Sequence, residues 1–154
     1  MKSVVIVAAL LAGSASNGAA ISDSELSLGG VALGDSESHV LAVLGQPSQQ
    51  SDTGEGFAFE YPGLTVLIGW LEQAAPGKQR HVLQLNATAP NACTPSGVCP
   101  GDPMSKALTV YGQPIKAERD SGSFMEYYSN QSTCWLQLGI SGHTVHAINA
   151  VCQP

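Results

Sequence analysis

GVALGDSESHVLAVLGQP, residues Gly30 to Pro47, is written a second time as GVCPGDPMSKALTVYGQP, residues Gly97 to Pro114. The two copies stand 67 residues apart, and that spacing holds without a gap as far as Tyr61 and Tyr128. Gly34, Asp35, Leu41, Gly45, Pro47, Phe57 and Tyr61 recur as Gly101, Asp102, Leu108, Gly112, Pro114, Phe124 and Tyr128. Self-similarity at a fixed spacing points to an internal duplication. The phrase therefore predicts an α+β fold of two tandem repeats, each a short helix packed on an antiparallel β-meander sheet.

The phrase reads as helix punctuation. Asp35 and Asp102 each follow a glycine and are placed to cap the free amides of a helix's first turn. Pro103 then suits the first helical position, where its missing N–H costs nothing. Val40, Leu41 and Leu44 in one copy, and Met104, Ala107, Leu108 and Tyr111 in the other, form one apolar helical face. Gly45 and Gly112 end each helix, and Pro47 and Pro114 forbid continuation. The helices are expected at residues 36–44 and 103–111.

Strand-like alternation follows each helix, with turn chemistry at Asp52-Thr53-Gly54 and Asp120-Ser121-Gly122. Phe57, Phe59 and Tyr61 share one face, and the constant spacing carries this to Phe124, Glu126 and Tyr128. Third strands at 64–70 and 133–140 turn Leu64, Val66 and Ile68, and Cys134, Leu136 and Leu138, toward the helix. Fourth strands run over 80–87 and 144–152. The opposite face of the second copy then carries Met125, Tyr127, Trp135 and Gln137. Exposed tyrosine and tryptophan suit a contact surface, so these four are the candidate binding residues. The competing use of that face is packing between the repeats, with Trp135 buried there.

The ends and the composition bound the rest. Lys2, the apolar run of residues 3–12 and the small residues up to Ala20 read as a secretory signal peptide cleaved after Ala20. The expected layout is a signal peptide over 1–20, one repeat over 21–90 and a disulfide-bonded one over 91–154. The apolar run is too short to span a membrane, and no cysteine near the cleavage site offers a lipid anchor. Without Lys2, five basic side chains face twelve acidic ones. No cluster of Lys or Arg exists to neutralise phosphates, which argues against nucleic acid as a partner.

Four cysteines in an exported chain read as two disulfides with three possible connectivities. Cys134 and Cys152 point from hairpin-related strands into one apolar layer. That favours Cys134–Cys152, with Cys93–Cys99 closing the loop between the repeats. Five residues separate Cys93 from Cys99, and His143 and His146 fall on opposite strand faces, so no metal site is expected. No cofactor motif, G-x-S-x-G elbow or HExxH is present. His81 and His146 stand in similar places at the start of the fourth strands, which reads as structural. Glu60 and Glu126 are acid/base candidates without a positional pairing to support them.

The pattern G-x-x-x-x-x-V/A-L-x-x-L/Y-G-x-P, at Gly34 to Pro47 and Gly101 to Pro114, resembles the small outer-membrane assembly proteins of the SmpA/BamE family. In its two-repeat, exported, disulfide-bonded organisation the chain also resembles the β-lactamase inhibitory proteins. The resemblance implies a helical layer behind a curved antiparallel sheet whose open face binds another protein. The expected function is an exported, non-enzymatic protein-binding module, periplasmic or extracellular, of the inhibitor or immunity kind. The alternatives are a cell-envelope assembly accessory and an unrecognised hydrolase or small-ligand binder.

Overall fold

The computed structural model describes residues 18–71 and 79–153. Most of the expected signal peptide, including its apolar run, lies outside these residues. A 3-10 turn, Asp23–Glu25, leads into a two-stranded ribbon of β1 (Ser27–Leu28) and β2 (Val31–Ala32). Then come α1 (Glu37–Leu44), β3 (Gln49–Asp52), β4 (Gly56–Tyr61), β5 (Leu64–Gly69) and β6 (His81–Ala87). The second half runs α2 (Met104–Tyr111), β7 (Ile115–Arg119), β8 (Gly122–Tyr128), β9 (Cys134–Ser141) and β10 (Thr144–Cys152).

The expected fold class is corrected here. The two meanders do not form two sheets. They join into one eight-stranded antiparallel sheet in the order β3-β4-β5-β6-β10-β9-β8-β7. Among the described residues the protein is mostly antiparallel β, with two eight-residue helices. The joint is the pairing of β6 with β10, where Ala87 faces Ile148, Asn86 faces Asn149 and Leu85 faces Ala150. Each meander alone would leave the outer edge of its fourth strand unpaired, and pairing the two edges satisfies both sets of backbone groups.

One face of this sheet holds the core. Phe59, Val66, Ile68, Leu85, Tyr127, Leu136, Leu138, Ile148 and Ala150 cluster there with Leu28 and Val31 of the ribbon, Val40 of α1 and Ala107 of α2. Burying a large apolar side chain of this kind contributes about 1.5–3 kcal/mol, so this layer dominates stability.

The aspartates of the phrase do a different job from the one expected. Ser36 caps α1, its Oγ accepting the His39 N–H at 3.2 Å, and Pro103 stands at the N-cap of α2 rather than inside it. Asp35 Oδ2 instead accepts the N–H of Ala32 at 2.8 Å, and Asp102 Oδ2 that of Cys99 at 2.7 Å. The preceding glycines explain this. Gly34 at φ 83° and Gly101 at φ 95° turn the chain back, so that the carboxylate reaches the amide three residues earlier. The same turns are stitched to the sheet, because Val82 N–H donates to Asp35 O and Val145 N–H to Asp102 O.

Both disulfides form as expected, Cys93–Cys99 and Cys134–Cys152. Cys134 and Cys152 are direct cross-strand partners on β9 and β10. Disulfides persist in oxidising compartments, and the protein is an exported, secreted one.

Candidate functional site

The face of the sheet opposite the core carries the candidate site. Cross-strand partners in an antiparallel pair point to the same side, so the register defines one row across all eight strands. It runs Gln49–Glu60–Thr65–Asn86–Asn149–Gln137–Glu126–Ile115. Three of the neighbouring pairs along the row are bonded side chain to side chain. Thr65 Oγ1 donates to Glu60 Oε2 at 2.7 Å, Asn149 Nδ2 to Gln137 Oε1 at 3.1 Å, and Gln137 Nε2 to Glu126 Oε1 at 3.1 Å. Tyr128 Oη closes the end of the chain on Glu126 Oε2 at 2.7 Å, and Arg119 Nη1 reaches Glu126 Oε1 at 2.5 Å.

Glu126 is only 2% exposed. Burial works to raise its pKa, but the donors Tyr128, Gln137 and Arg119, with the charge of Arg119, outweigh it and hold the carboxyl below its ordinary 4.5. Such a carboxylate is ionised and committed to its neighbours. Beside the row, Tyr128 and Trp135 stack with ring centroids 5.3 Å apart. Trp135 Nε1 is buried without an acceptor.

The four residues expected to share this face are divided between two. Trp135 and Gln137 lie on it. Met125 and Tyr127 do not: they are 3% and 0% exposed and belong to the core. Glu126 and Tyr128, expected on the helix side, take their places. The cause is a single residue. Tyr61 Oη donates to Gly45 O across 16 residues, and Tyr127 Oη donates to Gly112 O across 15, both at 2.9 Å. The second connection from helix stop to sheet is one residue shorter, so Tyr127 rather than Tyr128 fills the place of Tyr61. A one-residue shift turns every side chain of a strand to the other face.

The two histidines are also not counterparts. His81 faces Gly69 and its Nδ1 meets Gly34 O at 2.9 Å, whereas His146 sits in the irregular step of β10 over Gly139. Among the described residues no group of three His, Cys, Asp or Glu is placed to hold a metal ion.

A cleft of about 720 Å³ lies where the β6–β10 pairing stops after Leu85 and Ala150. Leu26, Leu33, Val82, Leu83 and the Cys134–Cys152 bridge give it mainly apolar walls. Among the described residues its acidic side chains are Asp23 and Glu55, and Asp23 is already tied to the hydroxyls of Ser129 and Ser132.

No family model and no curated protein matches the chain. Among solved structures it is similar to an extracellular protein containing an SCP domain from Bacillus anthracis, at 13% identity and a TM-score of 0.46. It is also similar to a cysteine-rich secretory protein from Staphylococcus aureus, at 9% identity and a TM-score of 0.47. Each alignment covers 79% of this chain but 44% of the other, so the chain spans less than half of either. The expected resemblance to the SmpA/BamE and β-lactamase inhibitory proteins is corrected: both of these solved structures are of another description.

Proposed function

We propose that the protein is an exported protein-binding module that works through the outer face of its sheet. The observation that carries this reading is the polar row itself, lying across eight strands on the side away from both helices and the core. Thr65, Asn86, Asn149 and Gln137 remain half-buried while fixed by the sheet, Asn149 and Gln137 also by each other and Thr65 by Glu60. Side chains held in place before contact lose little entropy on binding, and this is how a polar surface gains affinity. Trp135 and Tyr128 add rigid aromatic area at one end.

A hydrolytic reading is weaker on geometry. Glu60 and Glu126 stand five strand spacings apart, roughly 24 Å along the sheet. Paired carboxylates that act on one glycosidic bond stand about 5–9.5 Å apart.

The test is quantitative capture of partners from the medium by the immobilised protein, with variants beside it. Asn86→Arg places a bulky charge at the centre of the row and should reduce capture at least tenfold while leaving the unfolding midpoint near that of the parent. Val43→Arg, on an exposed position of α1, should leave capture unchanged. If Val43→Arg abolishes capture and Asn86→Arg spares it, the binding surface lies on the helix side and the reading fails.

A further inference from the structure

The eight-stranded sheet is open, with β3 and β7 at its two edges. We infer that β7 is a self-recognition edge, joining two copies of the chain about a two-fold axis at Ala117. The strand reads Ile115-Lys116-Ala117-Glu118-Arg119. Paired antiparallel with a second copy and centred on Ala117, it sets each Lys116 opposite the other copy's Glu118. Two ion pairs form, one on each side of the axis. Lys116 and Glu118 share a face, because they stand opposite Met125 and Ser123 of β8. The four charges therefore alternate in sign across the joint. On the other face Ile115, 43% exposed, lies opposite the stem of Arg119, and Ala117 meets Ala117 without crowding.

A two-fold pairing of this kind is isologous and closes after two copies. The other edge lacks the complement. Gln49-Gln50-Ser51-Asp52 paired with itself sets Asp52 against Gln49, with no opposite charge on offer. Part of β7 is crowded before processing. Ala19 N–H donates to Gln113 O, and Gly18 lies against Ile115. Both precede the expected cleavage after Ala20, so their removal leaves the whole strand free. Opposite charges facing each other across strands stabilise a pair, and like charges destabilise it. That converts the joint into a test by exchange.

Sedimentation velocity of the protein beginning at Ile21, from micromolar to millimolar concentration, should show a monomer–dimer equilibrium. Lys116→Glu alone and Glu118→Lys alone each set like charges face to face and should weaken the dimer at least fivefold. Lys116→Glu combined with Glu118→Lys restores opposite signs and should return the dimer to within about threefold of the parent, the scale of pairwise coupling between neighbours. Circular dichroism of each variant checks the fold. A protein that stays monomeric throughout, a double exchange that fails to recover, or assembly that grows without closing would each overturn the inference. Growth without closing would mean that β7 meets β3.

Discussion

Tyr127 and Glu126 are neighbours in sequence on opposite faces, and their chemistry splits accordingly. Burial pushes the Tyr127 hydroxyl up to about 12, against 10.0 for an exposed tyrosine. Its folded pKa exceeds its unfolded one, so its contribution to stability is whole below pH 10 and is lost as pH rises toward 12. Tyr127→Phe should flatten the alkaline loss of stability in that window and cost about 1 kcal/mol at neutral pH through the lost bond to Gly112. Unfolding followed by denaturant at successive pH values reads both. Glu126 has the opposite sign: its folded pKa is depressed below 4.5. The stability it adds is present above pH 4.5 and fades as pH falls through the lower folded value. Glu126→Gln should cost about 2 kcal/mol at neutral pH, the worth of hydrogen bonds to a charged group. The gap from the parent should close in acid, and a gap constant with pH would refute the role given to the carboxylate. Trp135→Phe removes a buried donor that has no acceptor. It should therefore cost less stability than its loss of ring area implies, as a pair of melting curves would show.

Individual elements were largely legible from the repeated phrase. Both helices lie within one residue of where its glycines and prolines set them, because helix stops are local chemistry written in a few residues. The disulfides were legible too, through strand alternation at Cys134 and Cys152. In the loop-entropy model, opening Cys134–Cys152, which spans 18 residues, should cost about 3 kcal/mol, and opening Cys93–Cys99, which spans 6, about 2. Serine pairs at each bridge, compared by denaturant titration, test the order. What sequence concealed was the facing of β8. Phe124 and Tyr128 match Phe57 and Tyr61 at constant spacing, and the match survives although the chain has lost a residue between Gly112 and the strand. Only the tyrosine bond to the helix-stop carbonyl reveals the true equivalence. Half of the candidate site was misassigned for that reason.

The single sheet could not be read from residues at all. A strand's side chains alternate in the same way at an edge or in the centre, and the β6–β10 joint is made by backbone groups that every sequence possesses. The joint can be tested at Leu85, fully buried beside it. Leu85→Ala should cost about 2–5 kcal/mol and should weaken both halves in one transition. Two separate transitions would show halves that fold independently. The order of strands has one more consequence. β10 is the last strand along the chain, yet it lies between β6 and β9 in the middle of the sheet. For a secreted polypeptide delivered from its N-terminus, the middle of the sheet therefore arrives after both of its sides. The complete sheet cannot close while β10 is still threaded through a channel, and the keystone of the fold is laid only once that strand has passed.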